Sequence, residues 1–163
     1  MKRQFRTVAV GGTFDELHKG HRALLCKAFE VGEYVLIGLT SDEFVVNMHK
    51  PHKTAPYSER LAELSCFLEK PEFKNRFEIS PLHTSYGLTL NKSDLDALVV
   101  SQETAKIGET INEKRAKIGL SLLCIIEIDL VPAENKKPIS TTRIHANEID
   151  KNGNLLKLNT KST

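Results

Sequence analysis

Cysteine is scarce: Cys26, Cys66 and Cys124 are odd in number and show no C-x-x-C spacing. That argues against a disulfide framework and a thiolate metal motif, and predicts buried free thiols in a reducing cytosol. An excess of one charge is also missing. Lys and Arg total 23 against 21 Asp and Glu, leaving +2, too little for a general nucleic-acid surface. No apolar run reaches the ~20 residues of a membrane span. The longest, "LSLLCIIEIDLV" (120–131), is broken by Glu127 and Asp129. The first residues, "MKRQFRTVAV", have no apolar core of the secretory kind. There is no internal repeat and no low-complexity linker. The expectation is a soluble cytoplasmic chain without nucleic-acid or membrane partners, a monomer or small homo-oligomer, with one domain at 1–153 and a tail at 154–163.

What is present alternates between two periods. "RTVAV" (6–10), "EYVLIGLT" (33–40), "RFEIS" (76–80), "ALVVS" (97–101) and "LSLLCIIEIDLV" read as strands. "HRALLCKAFEVG" (21–32) has helical apolar spacing and Gly32 as its stop. "SDEFVVNM" offers Ser41 and Asp42 as caps, and "SERLAELSCFLEK" (58–70) offers Ser58, with Leu61, Leu64, Cys66, Phe67 and Leu68 as its apolar face. "ETAKIGETINEKRAKIG" (103–119) is a further helix, and "ISTTRIHANEID" begins like one. The tail "KNGNLLKLNTKST" (151–163) either folds back as a small hairpin around Asn152-Gly153 or frays. Alternation of this kind predicts an α/β fold: a single-domain, Rossmann-like, doubly wound parallel sheet of about five strands with helices on both faces. Ligands of such sheets bind outside the carboxyl ends of the strands. Here the chemically dense segments all follow strands.

The densest is "GGTFDELHKGHRALL" (11–25), where a glycine turn becomes a helix through His18 and His21. A zinc site from these two and the similarly spaced His49 and His52 is disfavoured. No Cys or carboxylate joins them at a zinc spacing, and lysines flank both pairs, so no metal ligand is assigned. Neither G-x-G-x-x-G nor a P-loop occurs. A strand, glycines and a helix mouth still make an anion site, with Gly20 admitting a phosphate and imidazole N–H groups donating to it. A helix-capping role for His21 is the plainer alternative.

These residues resemble the nucleotidylyltransferase signature, with His18-Lys19-Gly20-His21 as its H/T-x-G-H motif. "ISTTRIH" (139–145) resembles the second signature, usually I-S-S-T-R. "VVSQET" (99–104) and "PYSER" (56–60) are similar to the phosphopantetheine adenylyltransferase family of archaeal and eukaryotic type. The resemblance runs from residue 6 to about 153. The chain departs from that pattern in "TSYGLT" (84–89) and in His145, where Arg is frequent.

The resemblance implies adenylyl transfer from ATP to 4′-phosphopantetheine, giving dephospho-coenzyme A and pyrophosphate, with Mg²⁺ accompanying ATP. It implies that His21 holds the α-phosphate, His18 supports the triphosphate and Thr13 orients the attacking phosphate, with Gly12, Phe14 and Gly20 completing the nucleotide site. Lys50, Lys53 and Arg60 make a basic segment that either closes on the phosphates or is a solvated loop, and the sequence does not rank Lys50 against Lys53. Ser140, Thr141, Thr142 and Arg143 suit the β- and γ-phosphates. Ser101 and Glu103 are further binding candidates, Glu103 being equally suited to supporting a helix start. Asp15 is either a turn residue or an orienter of the motif. The rivals are a sister nucleotidyltransferase acting on FMN, nicotinamide mononucleotide or a cytidylyltransferase substrate, a non-catalytic nucleotide-binding domain, and a metal-binding module.

Overall fold

The β-branched runs become strands in a computed structural model that describes residues 2–157. They are β1 (Phe5–Gly12), β2 (Gly32–Thr40), β3 (Phe77–Leu82), β4 (Ala97–Ser101) and β5 (Cys124–Ile128). All pair in parallel in the order β3-β2-β1-β4-β5. The helices are α1 (Lys19–Val31), α2 (Asp42–Asn47), α3 (Tyr57–Phe67), α4 (Ala105–Lys117) and α5 (Thr141–His145).

Side chains alternate across the sheet and feed two cores. Val8, Val10, Val35, Ile37, Leu39 and Val99 meet Leu24, Leu25, Phe29 and Leu64 of α1 and α3. Ala9, Leu36, Leu98 and Val100 meet Ile111 of α4. Burial on both faces explains why the inner strands β1, β2 and β4 read as continuous apolar runs. The chain winds outward from β1 to β3, then returns to lay β4 against the free side of β1. That reversal makes the β1/β4 boundary the switch point of the sheet.

Several local details differ from the sequence expectations. The last strand is short, because residues 120–123 approach the sheet without pairing, Leu122 lying exposed. Pro56, not Ser58, occupies the N-cap of α3, and Ser58 lies inside the first turn. α1 runs into β2 without a loop. Gly32 sits there at ordinary negative φ, and a side chain would meet Val8 within 2.6 Å. The cysteines are free but all exposed. Leu24, Leu25, Ala28 and Phe29 take the sheet-facing side of α1, which leaves Cys26 outside. Leu64 and Arg60 do the same to Cys66 on α3.

The hairpin at Asn152-Gly153 forms, with Ile149 bridging Leu155. The expected domain limit at 153 falls inside it, and Leu155 N–H donates to Glu134 (2.9 Å) beyond that point. Tail residues 158–163 lie outside the described residues. No helix among the described residues is long and apolar enough to cross a membrane.

Candidate active site

Between β1 and α1 the backbone turns through two left-handed residues that are not glycine, Phe14 (φ 49°) and Glu16 (φ 56°). Such conformations cost ~1–3 kcal/mol each and need strong local support. Phe14 has it: the ring is fully buried and meets His21 edge-on at 5.4 Å. Asp15, 1 % exposed, accepts from Ala55 N–H (3.3 Å) through Oδ1 and lies 3.1 Å from His145 Nε2 through Oδ2. Thr141 Oγ1 donates to its carbonyl (3.3 Å). Asp15 therefore orients the motif by joining three segments.

His18 and His21 cap α1 reciprocally. His18 Nδ1 accepts from His21 N–H (3.2 Å), and His21 Nδ1 accepts from His18 N–H (3.3 Å). Both Nδ1 atoms are acceptors, so each neutral ring carries its proton on Nε2. The rings stack at 3.6 Å and both line the cleft. Capping and donation to a ligand are thus compatible on one imidazole. Gly20 is required by this pairing, since a Cβ there would lie 2.9 Å from His18 Cε1. Lys19 N–H already donates to Lys151 O (2.8 Å), so ring N–H groups rather than a full set of helix N–H groups face a ligand.

Burial, with Arg22 adding repulsion, pushes His18 down to about 4. Burial first, then His18 and Lys50, holds His21 well below the usual imidazole range. The unfolded chain therefore binds more protons than the folded one between pH ~4 and ~6.5, and the stability this represents is full above that window and lost as pH falls through it. A shift like that of His18 corresponds to about 3 kcal/mol. His18→Asn, which keeps an N-cap acceptor and removes the titration, should flatten the fall in urea midpoint between pH 7 and 5.

Lys50 and Lys53 part company. Lys50 is half-buried, lines the cleft and donates to Thr13 Oγ1 (3.2 Å). Its pKa is lowered by burial, against the opposing pull of Asp15. Lys53 is exposed on a separate recess behind the loop. Arg60 is 1 % exposed and lines no cleft. Its guanidinium donates to Ala55 O (2.8 Å), Thr13 O (2.9 Å), Thr40 O (2.8 Å) and Asp42 Oδ1 (3.0 Å). It is a staple joining the ends of β1 and β2 to the basic loop. Arg60→Met would strand these carbonyls and should destabilise the fold by on the order of 3 kcal/mol, measured by urea unfolding.

In the second signature, Ser140 caps α5 by accepting from Arg143 N–H (3.3 Å), and Thr141 is held on Asp15. Both line the cleft with Thr142. Arg143 does not. It pairs with Glu148 (2.9 Å) and donates to Pro138 O (2.7 Å), bracing the turn that carries α5. Ser101 and Glu103 line the cleft from the end of β4, and Thr104 Oγ1 accepts from Ser101 N–H (3.1 Å). Gly12 joins them from the end of β1.

Gly12, Thr13, His18, His21, Lys50, Ser101, Glu103 and Ser140–Thr142 surround a cleft of about 540 Å³ at the β1/β4 switch point. Sequence reasoning missed part of its wall: Phe44 and Met48 by α2, Asp129 after β5, and an apolar extension past Leu82, Tyr86 and Leu98. Phe44, Met48 and Asp129 share a signal that was available, position just after a strand carboxyl end.

A parallel sheet with paired imidazoles and a lysine at its switch point defines a nucleotidyltransferase, and the cytidylyltransferase-like family profile matches residues 9–147. The chain is 44 % identical over 154 residues to phosphopantetheine adenylyltransferase from Pyrococcus furiosus, covering 94 % of this chain and 96 % of that one. It is 46 % identical over 157 residues to phosphopantetheine adenylyltransferase from Pyrococcus horikoshii, covering 96 % and 98 %. A solved protein of unknown function from Archaeoglobus fulgidus superposes with a TM-score of 0.68 at 33 % identity, covering 76 % of this chain and 89 % of that one. This chain belongs to the phosphopantetheine adenylyltransferase family.

Proposed function

We propose that the cleft transfers the adenylyl group of ATP to 4′-phosphopantetheine, forming dephospho-coenzyme A and pyrophosphate. The observation that carries the site assignment is the convergence of the His18 and His21 rings with the Lys50–Thr13 pair on one switch-point cleft. The acceptor's 4′-phosphate oxygen attacks the α-phosphorus as the bond to the β-phosphate oxygen breaks, and pyrophosphate leaves. A phosphate nucleophile is already ionised near neutral pH, so the protein supplies position and charge stabilisation rather than a strong base.

His21 Nε2–H and Lys50 Nζ hold the α-phosphate as charge moves toward the leaving group, and His18 supports the triphosphate. Thr13 orients the attacking phosphate, with its hydroxyl already fixed by Lys50. The Ser140–Thr142 turn faces the β- and γ-phosphates. Glu103 and Asp129, the exposed carboxylates of the cleft, suit Mg²⁺ held largely by phosphate oxygens and water. Mg²⁺ supplies neutralisation of the triphosphate charge. The apolar extension past Leu82 and Leu98 suits the pantetheine arm. In this reading the enzyme works in the cytoplasm, as a monomer or small homo-oligomer, on small molecules alone.

Pyrophosphate release with ATP and Mg²⁺ tests the assignment, with 4′-phosphopantetheine, FMN, nicotinamide mononucleotide or no acceptor, and with CTP replacing ATP. Release only with ATP and 4′-phosphopantetheine is expected. Release with another acceptor would make the chain a sister enzyme, and ATP binding without release would make it a non-catalytic binder.

A further inference from the structure

The zinc site weighed from His18, His21, His49 and His52 does not assemble: His18 and His21 engage each other, and His49 is exposed. The fold instead gathers Asp15, His52 and His145 from three distant segments, with one potential ligand atom from each lying within 4.8 Å of the others. We propose that these three residues form a transition-metal site of the Zn²⁺ class, which pins the basic loop to the turn after β1 and to α5.

Zinc–nitrogen and zinc–oxygen bonds of ~2.0–2.2 Å place tetrahedral ligands roughly 3.4 Å apart. Asp15 Oδ2 and His145 Nε2 already stand 3.1 Å apart. Bringing the third atom in closes a gap of up to about 1.4 Å, and because an imidazole ligates through an in-plane lone pair, the His52 ring must also turn out of its near-parallel stack on His145. The carboxylate is held from behind, since Oδ1 accepts from Ala55 N–H, the kind of outer contact that orients a ligating carboxylate. His52 stacks on His145 at 4.3 Å and 13°. Its Nδ1 is buried with no hydrogen-bond partner among the described residues, a polar atom that protein contacts leave unexplained. Glu16 Oε1, 3.9 Å from His145 Nε2, stands near enough to share the fourth position with water.

Two imidazoles and a carboxylate favour Zn²⁺, Co²⁺ or Ni²⁺ over Mg²⁺, which takes oxygen ligands. The site is therefore separate in chemistry from the ion that accompanies ATP. Asp15 and Glu16 bring negative charge against nearby Lys50 and Lys151. His52 is two residues from Lys50, so an ion here would fix the loop in the position that places Lys50 on Thr13.

The test uses the full chain with its exposed thiols alkylated, which removes soft competing ligands. Zn²⁺ binding is measured by equilibrium dialysis with metal analysis, alongside Co²⁺ absorption and the rate of tryptic cleavage at Lys53–Thr54. The variants are His52→Gln and His145→Arg, the latter keeping a cationic partner for Asp15. We expect one Zn²⁺ per alkylated chain, tetrahedral Co²⁺ bands without thiolate charge transfer, and slower cleavage with Zn²⁺. Each variant should bind at least tenfold more weakly and lose the protection. Absence of stoichiometric binding, or variants that bind as well as the parent chain, would overturn the site. A folded but non-binding His145→Arg protein, confirmed by its metal-free melting curve, separates loss of a ligand from loss of structure.

Discussion

Replacing His21 with alanine should lower kcat about a hundredfold or more, or roughly 3 kcal/mol, while ATP KM changes little. On the proposed mechanism the ring's Nε2–H contributes most when charge has moved onto the reacting phosphate, so the loss would fall on the transition state. The same substitution removes the acceptor for His18 N–H, and a fall in stability is expected with it. His21→Asn separates the two effects. It keeps a side-chain acceptor, so the melting temperature should recover while turnover does not. Near-normal turnover in a folded His21→Ala protein would remove the motif from catalysis.

The second large effect is the contrast between two lysines three residues apart. Lys50→Ala removes a half-buried ammonium from the cleft and leaves Thr13 Oγ1 without its donor. The expected cost in kcat/KM is a hundredfold or more, as for other charges aimed at a transferring phosphoryl group. Lys53→Ala removes an exposed charge and should cost about threefold or less, with that loss fading as salt rises. Steady-state kinetics on both variants at two ionic strengths makes the comparison. Equal losses would return the loop to a general basic surface.

The strands were legible because parallel strands buried on both faces are written as runs such as "ALVVS". The first signature was legible because glycines, a helix start and two histidines fall within a dozen residues. Residue spacing alone could not rank Lys50 above Lys53, since that depends on which ammonium turns inward beneath the loop. Arg60 looked like a phosphate contact. Only the converging carbonyls of Thr13, Thr40 and Ala55, from three separate segments, reveal it as a staple. Arg143 was misleading for the same reason, its charge being engaged by Glu148 and the carbonyl of Pro138. The trio of Asp15, His52 and His145 was invisible to any local spacing rule, because its members are brought together by tertiary structure.

The contact between Asp15 and His145 joins residues 130 positions apart. During synthesis the chain emerges from its amino end, and the central strand β1 is made before the other four strands. Its inner neighbour β4 follows some ninety residues later. The turn carrying Ser140 and His145 arrives later still. At roughly 5–20 residues per second, the nascent chain spends several seconds with its paired cleft histidines made and their surroundings missing. A chain made only as far as residue 139 contains all five strands yet lacks the Ser140–Thr142 wall of the cleft. Completion of the cleft is thereby tied to synthesis of the Ser140–Thr142 turn.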